Sequence, residues 1–484
     1  MFILFPTQLF RNVKLLNDKE IYLLEEPYYF NRLPFHKLKI AYHRATMKKY
    51  YDDLKKKKFN IKYIEFSKVY EFYKKNKNSN IEFYHPTDIP LLKQLQKNFK
   101  NITIHPTLNF TFTHLESKQI KKSCFKNGKY YHDDFYKFQR KRLNILMNNN
   151  KPVGGKLSYD NLNRNTFHEN MDIPKLPNVK QDKFIKEAKV YIQKHFPKNY
   201  GSLDNFIYPI SLTSSRQWLK IFLQQRLKNY GPFQDAVDNN DKPFAFHSII
   251  SPMMNVGMLT DTEVIEMSNE YYLKNKNKIP INSFEGFIRQ IIGWRNYVYL
   301  IYLEDGEKIR KMNYLKHKNK LNNKWWEGNT GILPIDDIIK KIVKYSYAHH
   351  IERLMYLGNF MLIAQTDPNE VYRIFMEWTI DTYDWVMVPN VYGMSQFADG
   401  GMMMTRIYFS SSNYINKMSN YKKSKKTTNK WWEIWDAIYY SFINKHQNLL
   451  KKNYATSRQV KHWENKSNKE QQQLLSIAKK YLKK

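Results

Sequence analysis

His349 and His350 stand side by side in the stretch YAHHIERLMYLGNFM (Tyr347–Met361), whose apolar spacing otherwise reads as an amphipathic helix. Imidazole exchanges a proton near neutral pH, so the pair could serve an acid–base step. Adjacent helix positions point about 100° apart. No further His lies four residues from either ring, so a shared zinc ion is not expected. Glu352 is expected to point outward. The functional reading has one ring facing a pocket; the bland one has two ordinary core histidines. Three more segments carry chemistry. FAFHSIISPMMNVGML (Phe244–Leu259) gathers His247, Ser248, Ser251 and Asn255. EGFIRQIIGWRNYVYLIYL (Glu285–Leu303) reads as one apolar helix bearing Arg289, Gln290, Trp294 and Arg295. DTYDWVMVPNVYGMSQFADGG (Asp381–Gly401) adds Asp381, Asp384, Asn390 and a glycine turn. Hydroxyls and backbone N–H groups at helix starts hold phosphates, and an Arg–carboxylate pair fixes a polar ring edge. Together with aromatic walls, the set suits a large, flat, phosphate-bearing cofactor.

The elements that must position these residues fall into two halves. At 484 residues, two or three domains are expected. Through residue 120, strand-like runs (MFILFP, EIYLLEE, YIEFSK, IEFYHP, NITIHP) alternate with helical ones (HKLKIAYHRATMKKYYDDLKKK, SKVYEFYKKNKN, IPLLKQLQKNF). That rhythm implies an α/β domain with a parallel, doubly wound sheet. The first strand is followed by FPTQLF rather than a glycine-rich turn, so no dinucleotide fingerprint is present. Any ligand here belongs at the carboxyl ends of the strands. Residues 121–202, rich in Asn, Gly and Pro around NNNKPVGGKLSYDNLNRNTFHEN, read as a connector. From 203 to 484 the helical period dominates, with Asp367-Pro368 as a well-formed helix start and a charged, peripheral terminal helix.

Composition narrows the partners. The formal charge is +36, which favours a polyanion such as nucleic acid. Lysine outnumbers arginine about four to one, a bias that A+T-rich coding also produces, so charge alone does not establish the partner. With one cysteine, Cys124, the chain can assemble neither a disulfide framework nor a cysteine-rich metal site. No metal is expected. The absence of an 18-residue apolar run and of a basic leader before MFILFPTQLF points to an intracellular protein (cytoplasm, nucleus or viral factory) that is not secreted.

Taken in chain order, LPFHKLKIAYHRATM, GGKLSYDNLNR, FHSIISPMMNVG, EGFIRQIIGWRNY, HHIERLMYLGNF, SQFADGG and SNYINKMSNY resemble the signature blocks of bacterial-type (6-4) photolyases. These form the iron–sulfur subgroup of the cryptochrome/photolyase family. The resemblance spans nearly the whole chain. It implies a Rossmann-like α/β antenna domain and an all-α domain holding FAD. Reduced FAD, excited by light, would pass an electron to a (6-4) lesion flipped out of double-stranded DNA. By the same resemblance His350 is the principal acid, with His349 and Tyr408 beside the lesion. Arg353 faces the flavin, paired with Asp381 or Asp384, and Asn390 lies near flavin N5. His247, Ser248, Ser251, Asn255, Gln290, Trp294 and Arg295 complete the cofactor set. Lys156, Asp160, Asn163 and Arg164, with Arg140 and Arg142 of FQRKR, are the DNA-contacting candidates.

Departures from the family pattern matter equally. The cluster cysteines align with Pro334, Lys422, Lys425 and Glu433, none able to ligate, so no iron–sulfur cluster is expected. The vacated space is expected to be filled by Lys–Glu433 pairing or by Trp431 and Trp432. Among the electron-relay aromatics Trp326 is retained, while the usual aromatic pair reads Ile374-Phe375; rerouting through Trp378 or Trp385 is the expectation. Met387 and Asn296 replace glutamates common in the family, and Leu157 replaces a Trp. The antenna motif DQL becomes TQL. Gln8 and Glu26 are the candidate contacts for a 6,7-dimethyl-8-ribityllumazine antenna, whose site could be empty or differently filled. A monomer with no membrane association is expected. The rival readings are a cryptochrome-like photosensor, a cyclobutane pyrimidine dimer photolyase and a flavin-free DNA-binding protein.

Overall fold

The computed structural model describes residues 1–167, 171–238, 243–423, 430–452 and 454–483. The five strand-like runs form β1 (Phe2–Leu4), β2 (Ile21–Leu24), β3 (Ile61–Ile64), β4 (Asn80–Tyr84) and β5 (Asn101–His105). All pair in parallel, in the order β3-β2-β1-β4-β5. α1 (Lys37–Lys56), α2 (Val69–Lys75) and α3 (Ile89–Asn98) supply the crossovers. Every residue of β1 is buried, as a central strand covered on both faces requires.

Strand order reverses between β1 and β4, the place where such sheets take a ligand. Here a side chain bridges the two strands. Gln8 accepts from the Phe5 N–H (3.3 Å) and donates to the Tyr84 carbonyl (2.7 Å), stitching the two strand ends together. Glu26 is fully buried and accepts from Tyr73, Gln94 and the Tyr28 N–H. Burial pushes its carboxyl up to about 7 against those donors. Both antenna candidates thus have protein hydrogen-bond partners at the strand ends.

The connector holds a helix, His132–Arg142, and a loop pinned to the helical half. α4 (Lys183–His195) then packs along α1. The helical half contains α5 (Leu212–Gln225), α6 (Asp261–Lys274), α7 (Ile281–Ile288), α8 (Asn296–Ile309), α9 (Leu333–Tyr345), α10 (Pro368–Trp378), α11 (Trp431–Leu450) and α12 (Asn468–Leu482). Their starts follow from local chemistry. Thr260 and Glu263 form a capping box on α6, and Ser467 with Glu470 does the same for α12. Asp367 caps α10 by accepting from the Asn369 N–H, with Pro368 in the first turn. α12 packs on α11, and Tyr481 donates to the Thr330 carbonyl (3.1 Å), so the terminal helix is docked rather than peripheral.

Two sequence expectations of uninterrupted helix are corrected. Glu285–Leu303 is α7 and α8 joined by a π-helix, Arg289–Arg295, and Tyr347–Met361 contains a second π-helix, Glu352–Gly358. A third spans Pro389–Ser395. Each extra residue per turn re-aims side chains, which is why π-segments gather at functional sites.

Of the positions that the resemblance assigns to cluster cysteines, Glu433 lies on α11 beside Trp431 and Trp432. Trp431 is buried edge-to-face against Trp432 and Trp435, and Trp435 donates to the Ser410 carbonyl (3.0 Å). Lys422 donates to the Asn416 carbonyl (2.7 Å) and Glu433 sits 3.5 Å from Lys430. Lys425 lies outside the described residues. No described helix is long and apolar enough to cross a membrane.

Candidate active site

All three π-helices face one cavity of about 790 Å³, within the range of small-molecule and cofactor sites. The loops that feed them are tied together. Ser346, left-handed at φ 54°, ends α9, and its carbonyl accepts from the Ile380 N–H (2.8 Å) while its hydroxyl donates to the Trp378 carbonyl (2.9 Å). This joins the histidine loop to the Asp381 loop. From the first domain, buried Lys39 donates to the carbonyls of Met376 (3.2 Å) and Thr382 (2.5 Å), clamping the same loop.

At the buried wall, Asp381 accepts from Arg353 Nη2 (2.8 Å) and the Ser251 hydroxyl (2.6 Å), and its carbonyl accepts from Asn255 (2.8 Å). Burial alone would lower the Arg353 pKa, but the Asp381 carboxylate overrides it and raises it. Arg295 donates to Asn255 Oδ1 (2.5 Å) and Asp261 Oδ1 (2.8 Å) and lies over Phe110 and Trp385. Its Nη2 has no partner. Ile249, β-branched and 1% exposed, is held at φ 55° beside His247 and Ser248. Such a conformation persists only where surrounding packing dictates it.

His349 and His350 divide as two environments. The helix begins at His350, so His349 lies just outside it. Glu352 does not point outward: it is 2% exposed, accepts from the His349 N–H (2.9 Å) and pairs with Lys341. His349 stacks on His247 with centroids 4.2 Å apart. Burial first, then the neighbouring His349 ring for His247 and Lys341 for His349, hold both rings' pKa well below the usual value, so both are neutral. His350 is exposed at the cavity's rim, within a wall dense in protein. That crowding, then Arg353, lowers its pKa to about 4.

Gln290, Trp294, Asn390, Trp385 and Tyr408 also line the cavity. Asn390 donates to the Val386 carbonyl (2.7 Å), leaving its amide oxygen without a protein partner among the described residues. Trp294 stacks on His132 at 4.5 Å. The exposed rim carries Arg164, Arg406 and His350, with Asp160 joining Arg164 (2.8 Å) to Arg289 (3.0 Å) and so pinning the connector loop over the cavity. Lys156 is exposed on that loop.

Several candidates lie elsewhere. Asp384 leaves Arg353 to Asp381 and sits outside the cavity lining, accepting from Tyr302 (2.6 Å), Arg310 (2.5 Å) and Tyr372. Arg140 is fully buried, donating to the carbonyls of Ile145 (3.1 Å), Leu157 (2.7 Å) and Leu146, which withdraws it from DNA. Asn163 is buried in an amide pair with Asn282 (2.9 Å). Arg142 donates to the Thr111 carbonyl (2.6 Å) but stays accessible. Trp378 is buried behind Phe375 rather than lining the cavity, and Trp326 lies on the far side of α10. Sequence reasoning missed Asp235 at the rim, whose carboxyl burial pushes up to about 6. Its segment, FQDAVDNN, carries no motif that singles one acid out.

A family described as deoxyribodipyrimidine photo-lyase-related protein matches residues 2–208. A (6-4) photolyase of Agrobacterium fabrum is 36% identical over 357 residues, covering 72% of this chain and 69% of that protein. The chain belongs to the cryptochrome/photolyase family. An uncharacterized protein of Acanthamoeba polyphaga mimivirus is 53% identical over 89 residues, covering 18% of this chain and 69% of its own. Among solved structures, a class III photolyase from Agrobacterium tumefaciens superposes with TM-score 0.57 at 12% identity, covering 100% of this chain and 98% of that one. An archaeal photolyase from Sulfolobus tokodaii gives 0.55 at 14%, covering 93% and 100%. These two likenesses concern the photolyase fold: an α/β domain followed by a helical one.

The family implies a flavin, and the residues present fit one. Buried Arg295 Nη2 and His247 Nε2, both lacking partners, border a cavity large enough for a flat cofactor. The Arg353–Asp381 pair offers a planar polar edge, Ser248 and Gln290 offer donors, and the Ser251 oxygen can accept.

Proposed function

We propose that this protein repairs UV-damaged DNA by light, with the (6-4) photoproduct as substrate and FAD as cofactor. The observation that carries the reading is one cavity with two chemistries. A buried wall holds the Arg353–Asp381–Ser251 clasp, and a wet rim holds His350 among arginines. The Agrobacterium relative bears the name (6-4) photolyase.

In this reading Arg353, Asp381, Asn255, Arg295 and Asn390 hold the flavin, and Ser248, Ser251, Gln290, His247 and Trp294 complete its surroundings. A bound, reduced FAD excited by light supplies the electron. The chain's own residues do the rest. Arg164, Lys156 and Arg142 neutralise phosphates around a flipped-out nucleotide. Tyr408 packs against the lesion. His350 gives a proton to it, and neutral His349, backed by His247 and Glu352, fixes His350's position. His350 is mostly neutral in the open cavity, and the phosphates brought by DNA raise its affinity for a proton. No iron–sulfur cluster is included, because one cysteine cannot supply four thiolates. No light-harvesting step is assigned to Gln8 or Glu26.

The test illuminates the reduced, flavin-loaded protein with duplexes carrying either a defined (6-4) lesion or a cyclobutane dimer, with dark controls. Light-dependent loss of the (6-4) lesion alone is expected. Loss of only the cyclobutane dimer would transfer the assignment to that substrate. Flavin binding with repair of neither would favour a photosensor.

A further inference from the structure

Trp326 is partly buried against α10, and its indole N–H donates to Glu377 Oε2 at 3.1 Å. Glu377 is 2% exposed, and its second oxygen, Oε1, has no hydrogen-bond partner. The cation nearest to it, Arg373, stands 3.9 Å from that oxygen and spends its better contact on Glu370 (2.7 Å). A buried carboxylate so poorly compensated is costly, and a glutamine or a carbonyl would accept the same indole bond more cheaply. The site therefore asks for a reason to keep an ionised acid.

We propose that Glu377 is the proton acceptor for oxidised Trp326. This rests on the light-driven flavin reading above. Were a bound, photoexcited flavin or another one-electron oxidant to take an electron from Trp326, its Nε1–H bond would break and the proton would pass to Glu377 Oε2. The products are a neutral indolyl radical and a carboxylic acid. A thiol reductant in solution later returns an electron to the indole, and the proton goes back with it. Arg373 makes this transfer necessary: its guanidinium lies 5.1 Å over the Trp326 ring and disfavours a lasting positive charge there. Burial raises the Glu377 pKa despite the Trp326 bond and Arg373, so the acid keeps a proton more firmly than an exposed glutamate. Glu370, the other charge nearby, acts in the same direction. The same helix turns Phe375 into the cavity with Trp378 packed behind it at 6.4 Å, so one element spans from the cofactor wall to the Trp326 pair.

Flash photolysis of the full chain decides it, using wild type, Glu377→Gln and Trp326→Phe. One arm excites the bound flavin; the other uses a soluble ruthenium polypyridyl photo-oxidant with a sacrificial electron acceptor, which requires no flavin. The wild-type minus Trp326→Phe difference spectrum is expected to be a neutral indolyl radical, formed more slowly in deuterated water. Glu377→Gln is expected to leave a protonated cation radical that loses its proton about a hundredfold more slowly, the size of effect a positioned base gives. A cation radical persisting in wild type overturns the proposal, as does neutral radical formation at the wild-type rate in Glu377→Gln. If the variant does not fold, time-resolved infrared of the wild type decides instead: a protonated-carboxyl C=O band rising with the indolyl radical upholds the proposal, and a neutral radical without that band overturns it. A neutral Trp326 radical in the ruthenium arm alone upholds Glu377 while removing Trp326 from the flavin's electron supply.

Discussion

Two adjacent histidines with opposite surroundings make the first residue-scale test. Substituting His350→Ala is expected to abolish lesion repair while flavin absorbance per chain stays at the wild-type level; repair that survives would exclude His350 as the acid. If His350 acts while protonated, repair must rise as pH falls from about 8 towards 6, because the charged fraction grows in that direction. Asp381→Asn removes the charged acceptor of Arg353 and Ser251, and flavin binding is expected to weaken by about 2–3 kcal/mol, measured by fluorescence titration. Asp235 gives a stability test with a defined sign. Its folded pKa, about 6, lies above the free value, so its contribution is complete below about 4 and is lost as pH rises through 6. Asp235→Asn should therefore raise Tm at pH 8 more than at pH 4. Of the site itself, His350, Arg353 and the Ser251 segment were legible because each is a chemically distinctive type within an apolar run. The choice between Asp381 and Asp384 was not. The two lie three residues apart, and it is partners distant in sequence, Tyr302 and Arg310 among them, that draw Asp384 away.

At the scale of elements, three π-helices around one cavity distinguish this half of the molecule. Each contains a glycine: Gly293, Gly358 and Gly393. A Cβ on Gly358 would lie 2.3 Å from Ser395 Oγ and 2.7 Å from the Arg353 carbonyl, so the second and third π-segments approach too closely for any side chain. Gly358→Ala is expected to cost about 1–3 kcal/mol by overpacking, seen as a lower denaturation midpoint, and to weaken flavin binding because Arg353 shifts with the turn. Unchanged midpoint and binding would mean the segments part freely. The five strands and the three crossover helices were readable from alternation of β-branched runs with amphipathic ones. The π-segments were not, because one residue inserted into a turn leaves the apolar period nearly intact and is decided by what the helix packs against. Likewise GGKLSYDNLNR reads as part of a connector, yet it buries Asn163 and exposes Lys156.

For the whole molecule, the two domains meet where Lys39 grips the loop that presents Asp381, so the α/β domain supports the chemistry of the helical one. The surplus charge of +36 belongs to this scale as well. DNA affinity should fall steeply with salt, and replacing Lys156 or Arg164 by Ala should each reduce the slope of log affinity against log salt by about 1. A slope unaffected by both changes would mean that the general lysine excess, and not the cavity's rim, does the binding. The central claim is that flavin and damaged nucleotide occupy one cavity, and it is tested most directly by the fluorescence of the bound, reduced flavin. Adding a duplex with a (6-4) lesion is expected to quench it through electron transfer, while the undamaged duplex leaves it unchanged. Equal fluorescence with both duplexes, at concentrations where both are bound, would contradict the shared cavity.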